Sequence, residues 1–200
     1  MGKSKIISYC LLWFALSIPC NPLASRVSNC VISKSLSYKG IMEKGGNNQG
    51  FSDSLFQQDM KSVGWAKGQA WCAYFVKLVL NKCSIPNSIS GWSPSSYNKQ
   101  DVIYTDKEFK NSYSPNDVLI LSLSYDKFKN NKGRYKGIGH TGIVVEIKQS
   151  SLVSIEGNTN DAGTRDSRTG DGVYKKIRPL SKNTHITRWK KEKETLQQPC

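Results

Sequence analysis

The chain has 200 residues, 38% hydrophobic and 10% aromatic, enough for one domain with its own core and short for two. Its 29 Lys and Arg against 15 Asp and Glu give a formal net charge of +14, a surface suited to anionic partners. The longest apolar run, about 13 residues, falls short of the roughly 20 that cross a bilayer, so no stable membrane anchor is expected.

That run, Ile6 to Ile18, follows Lys3 and Lys5 and reads as a secretory signal ending near Leu23-Ala24-Ser25. Pro19 and Pro22 break the chain behind it, and residues 1–25 are expected to direct a secreted or periplasmic product. A lipoprotein reading through Cys20 is weaker, because Pro19 stands where a small residue belongs. Outside the cytoplasm the anionic partners are cell-wall polymers or lipid head groups, and export argues against nucleic acid, for which the chain also has no stacking platform or motif. Disulfides are permitted there. Of Cys30, Cys72, Cys83 and Cys200, three could supply one bridge with one thiol left over, the pairing being open.

Residues 26–50 are polar, contain Gly40, Gly45, Gly46 and Gly50, and read as a mobile lead-in with one helix near Leu36 to Met42. Phe51, Leu55, Phe56, Met60 and Val63 then recur at helical spacing, with Ser52 and Asp53 available as caps. Gly64 and Gly68 bracket a turn. Cys72 to Lys82 is apolar on nearly every side, the pattern of a helix buried in a core, and Lys82 suits its C-terminal dipole. Pro86, Gly91 and Pro94 mark a loop, and Tyr97 to Phe109 reads as a short surface helix.

After Pro115-Asn116-Asp117 the texture becomes β, with Val- and Ile-rich runs at Val118 to Leu123, Thr141 to Ile147, Leu152 to Glu156 and Val173 to Ile177. Helices followed by four strands predict an α+β domain over 51–189, in which N-terminal helices pack on a small antiparallel sheet. Residues 190–200 form a polar tail. Lys127, Lys129, Lys132, Arg134 and Lys136 have no acid among them and lie just before His140, where they read either as a solvated loop or as a patch that attracts substrate.

Cysteine attacks carbonyls as its thiolate, a form favoured at a helix N-terminus and beside an imidazolium. Cys72 is predicted at such a terminus, where first-turn N–H groups lack intrahelical partners and can hold an oxyanion. Gln69 is a further candidate donor. His140, flanked by Gly139 and Gly142 at the start of a strand, is the candidate base toward Cys72 and acid toward a leaving amine. Glu156 and Asn158 are two apart, so on a strand both face one side and could orient the histidine. The chemistry needs no metal or cofactor.

In order, Gly68-Gln-Ala-Trp-Cys72-Ala-Tyr-Phe-Val76, Pro115-Asn-Asp-Val118, Gly139-His-Thr-Gly-Ile-Val144 and Ile155-Glu-Gly-Asn-Thr159 resemble the CHAP branch of the NlpC/P60 cysteine peptidase superfamily. The resemblance spans roughly Gly45 to Trp189. It implies a papain-like fold and hydrolysis of peptidoglycan amides, as an N-acetylmuramoyl-L-alanine amidase or a peptide endopeptidase. Cys72 then matches the nucleophile, His140 the base, Glu156 the orienting carboxylate and Asn158 the accompanying polar group. Two departures stand out: the family often has Gln directly before the cysteine, where this chain has Gln69 with Ala70 and Trp71 between, and Asn116 replaces the common Gly before Asp. A catalytically silent module that holds anionic wall polymers in the same groove is the competing reading.

Overall fold

The computed structural model describes residues 22–125, 137–160 and 171–190. Among them the chain forms three α-helices, α1 (Pro22–Ser37), α2 (Ser54–Ser62) and α3 (Cys72–Lys82), and a single seven-stranded sheet. The strands are β1 (Val102–Thr105), β2 (Glu108–Phe109), β3 (Val118–Ser124), β4 (Ile138–Ile147), β5 (Ser151–Thr159), β6 (Gly172–Pro179) and β7 (Thr184–Trp189). They lie in the order β2-β1-β7-β3-β4-β5-β6, and every pairing is antiparallel. The class is therefore α+β.

α3 has the predicted bounds, and its buried residues Cys72, Ala73, Phe75, Val76, Leu78, Val79 and Leu80 cover most of its circumference. It packs on the sheet face that carries Ile120, Ile143, Ile155 and Val173, within the same core as Phe56, Met60 and Trp71. Each fully buried large side chain here contributes roughly 1.5–3 kcal/mol. The alternate strand positions, Leu119, Leu121, Leu123, Val144, Leu152 and Ile186, form a second cluster with Ile103 and Tyr104. Apolar residues on both faces explain why these strands read as continuous hydrophobic runs. α2 is capped as expected, Phe56 N donating to Asp53 Oδ1 at 2.8 Å.

Four expectations are corrected. The first half of the predicted mobile lead-in belongs to α1 (Pro22–Ser37). Its Ser28, Val31 and Ser35 are buried, and Cys30 is bridged to Cys83, the C-cap of α3. The helix expected at Leu36 to Met42 is instead its tail and a turn through Gly40 (φ +89°). Tyr97 to Phe109 is not a helix: a 3₁₀ turn (Ser93–Ser96) precedes it, and the β1–β2 hairpin occupies its second half. The sheet is also larger than the four strands expected, because β7 inserts between β1 and β3.

Candidate active site

Cys72 is the first residue of α3. Its approach is set by a tight turn in which Gly64 (φ +99°) and Gly68 (φ +86°) take conformations that L side chains rarely adopt. Trp71, fully buried, anchors the turn by packing edge-on against Phe51 and by donating from Nε1 to Glu43 Oε1 at 2.6 Å. Trp71 is the N-cap but offers no side-chain cap, so the first-turn amides of α3 are not taken by the capping group.

Two glycines let the sheet approach this turn. A Cβ at Gly157 would stand 2.5 Å from Trp71 Cζ3 and 2.8 Å from Phe75 Cβ, so the β5 backbone lies directly against the head of α3. A Cβ at Gly142 would stand 2.5 Å from Glu156 Cγ, so the Glu156 side chain passes over bare β4 backbone toward His140. The space that a side chain at position 142 would need is taken by Glu156.

The result is a chain of three buried groups: Cys72, His140 and Glu156, exposed by 5%, 8% and 0%. His140 Nε2 lies 2.8 Å from Glu156 Oε2. An ionised carboxylate can only accept, so Nε2 carries the proton and Nδ1 is the nitrogen left for Cys72. Burial alone would favour neutral imidazole, but the hydrogen bonds and charges of Cys72 and Glu156 outweigh it and raise the His140 pKa well above its ordinary value. The opposite holds for Glu156: burial raises its pKa, yet hydrogen bonds from Arg178 and His140 win and hold the carboxyl far below the usual range.

Arg178 and Ser154 were not singled out from sequence. Arg178 grips Glu156 with both arms, Nε donating to Oε1 at 2.9 Å and NH2 to Oε2, while Ser154 Oγ donates to Oε1 at 2.5 Å. Glu156 thus has a partner on every side, as a buried carboxylate requires. Period-two alternation places Ser154 on the face of Glu156, a signal available in the sequence. Arg178 joins through β5–β6 pairing, where Leu152 faces Arg178 and Glu156 faces Tyr174, and nothing local announces that.

Asn158 and Gln69 occupy other places than the sequence suggested. The β5–β6 register shifts between Glu156 and Thr159, and Asn158 has φ +57°, so the simple alternation that would aim it at His140 is broken. With the Asn48 amide oriented to suit its neighbours, its nitrogen lies 3.3 Å from Asn158 Oδ1, from Glu43 Oε1 and from the Gln69 carbonyl. Gln69 is exposed, and its Oε1 accepts from Ala66 N at 3.0 Å, closing the turn before α3. Cys30 and Cys83 are bridged, and Cys72 is free. Lys127, Lys129, Lys132, Arg134 and Lys136, Cys200 and most of the expected signal lie outside the described residues. Among the described residues no helix is long and apolar enough to cross a membrane, and no cluster of three or more His, Cys, Asp or Glu could hold a metal.

No family model, curated protein or solved structure matches the chain.

Proposed function

We propose that the chain is a secreted, papain-like cysteine hydrolase of the CHAP type that cleaves amide bonds of peptidoglycan, as an amidase or a peptide endopeptidase. The observation that carries this reading is a free Cys72 at a helix N-terminus, a His140 whose pKa is raised by Cys72 and Glu156, and a clamped Glu156 bonded to the histidine. Resemblance of the Cys72, His140 and Glu156 segments to that family supplies the substrate class.

In the proposed reaction the Cys72 sulfur attacks the amide carbonyl carbon while its proton resides on His140 Nδ1. The carbonyl oxygen gains the negative charge and is held by first-turn amides of α3, the backbone N–H of Cys72 among them. Collapse breaks the C–N bond as His140 passes its proton to the departing amine, leaving a thioester on Cys72. Water, deprotonated by His140, then attacks the thioester, and carboxylate product leaves as the thiol re-forms. Glu156 keeps the ring in one tautomer throughout.

Lysis of purified peptidoglycan, followed by loss of turbidity, tests the assignment. Cys72→Ala and His140→Ala are each expected to lose at least about a thousandfold in rate while melting as cooperatively as the parent chain. Full activity in Cys72→Ala would remove the proposal.

A further inference from the structure

Glu43 is absent from the proposed chemistry, yet it touches both sides of the site. Its Oε1 accepts from Trp71 Nε1 at 2.6 Å, and Trp71 is the residue before Cys72. The same oxygen lies 3.3 Å from the Asn48 side-chain nitrogen, which is equally close to Asn158 Oδ1 and to the Gln69 carbonyl. The Asn48 carbonyl accepts from Gly68 N at 2.7 Å, which ties Asn48 to the turn before α3. Two short links therefore run from one carboxyl group, one to the nucleophile's turn and one to Asn158.

Two further observations show that this arrangement is held rather than incidental. Asn48 and Asn158 both have left-handed backbone, with φ of 58° and 57°, a conformation that persists at a non-glycine residue where surrounding bonds over-determine it. Glu43 Oε2 is buried and has no hydrogen-bond partner. A carboxylate oxygen tolerates that poorly, whereas the oxygen of a neutral acid tolerates it better. Burial raises the Glu43 pKa, the Trp71 and Asn48 hydrogen bonds work against that, and the charge of Asp171 adds to the rise.

We propose that Glu43 is a positioning residue: through Trp71 it fixes the first turn of α3 and hence Cys72, and through Asn48 it fixes Asn158. The proposal rests on the hydrolase reading for its functional meaning, but its effect on the Cys72 thiol is separable from any substrate. Glutamine keeps the acceptor for the Trp71 indole and is neutral, so Glu43→Gln should preserve the function that Glu43→Ala loses.

The full-length chain and its Glu43→Gln, Glu43→Ala and Asn48→Ala variants are compared in three measurements. These are thermal melting, the rate of Cys72 alkylation by iodoacetamide, and kcat and KM on soluble peptidoglycan fragments. Misplacement of a reacting group by about 1 Å can cost roughly a hundredfold in rate. Glu43→Ala is therefore expected to lower kcat by about tenfold to a hundredfold with KM within about twofold, and to change the alkylation rate, while Glu43→Gln stays within about threefold of the parent in both. Asn48→Ala should lower kcat less and spare the alkylation rate more than Glu43→Ala does, since the Trp71 link survives. Should Glu43→Ala fail to fold, the Glu43→Gln and Asn48→Ala pair decides: Gln as damaging as the loss of Asn48, or both without effect, overturns the proposal. A folded Glu43→Ala with parental kcat and alkylation rate overturns it as well. A parent chain that cleaves no peptidoglycan defeats the hydrolase reading alone, and the alkylation comparison still decides the role of Glu43.

Discussion

Glu156 has no solvent exposure and four bonding contacts, from His140, Ser154 and both arms of Arg178. Its charge is what those donors were assembled to meet. Glu156→Gln leaves the Arg178 guanidinium without its counter-ion, and breaking a buried pair on one side costs about 3 kcal/mol. Urea denaturation should show that loss as a lower midpoint with an unchanged slope. From sequence, Asn158 looked able to share the orienting role and soften the catalytic effect; because Glu156 alone reaches His140, the variant is expected to be severe in activity too. The pH dependence follows from the two opposed shifts. Glu156, lowered on folding, stabilises fully above its ordinary value of 4.5, and that contribution is lost as pH falls toward its folded pKa. His140, raised on folding, stabilises fully below its ordinary value of 6.5, and that contribution is lost as pH rises through its folded pKa. A plateau of stability between those two values is expected in melting runs across pH, and Glu156→Gln should abolish the acid limb that Glu156 contributes. Cys72, His140 and Glu156 were legible as a candidate set because cysteine and histidine are scarce and their flanks distinctive, and the fold does bring the three together. Arg178, Ser154 and Glu43 were not, since a Lys- and Arg-rich chain offers many cations and the contacts that select one are tertiary.

Elements were legible where one interaction dominates. The bounds of α3 follow from an apolar run that no strand-length segment could bury on one face, and α2 from a cap and a spacing that agree. The β1–β2 hairpin was missed because its turn residues, Asp106 (φ 52°) and Lys107 (φ 66°), do the work that Asn-Gly or Asp-Gly usually announces. β7 was missed because Thr184, His185, Thr187 and Arg188 interrupt the apolar pattern that marks the other strands, although Thr184 and Thr187 are buried beside Ile186 in mid-sheet. Residues 26–37 of α1 were read as mobile because the anchor of the helix is covalent and distant, Cys30 to Cys83 across 53 residues. Closing a loop of that size restricts the unfolded chain by about 4 kcal/mol. Mild reductant should therefore lower the melting temperature of the parent, while a Cys30→Ala and Cys83→Ala double variant should melt lower and be insensitive to reductant. Equal melting with and without reductant would show that α1 is held by packing alone.

The whole molecule places a helix N-terminus against an antiparallel sheet so that one thiol stays free while two others are locked together 5.9 Å apart at Cα. Among the described cysteines, that separation of roles leaves Cys72 as a thiol and locks Cys30 to Cys83. A formal charge of +14 adds a long-range attraction for anionic polymers, which under the proposed function would draw wall material to the chain without selecting a bond. In the proposed reaction, bond selection falls to the surroundings of Cys72. Mass spectrometry of products released from defined peptidoglycan tests this most directly: the parent chain should yield fragments that together gain one water at an amide bond, with a new carboxylate and a new amine, and Cys72→Ala should yield none. Peptidoglycan left intact by the parent, or the same fragments from Cys72→Ala, would contradict it.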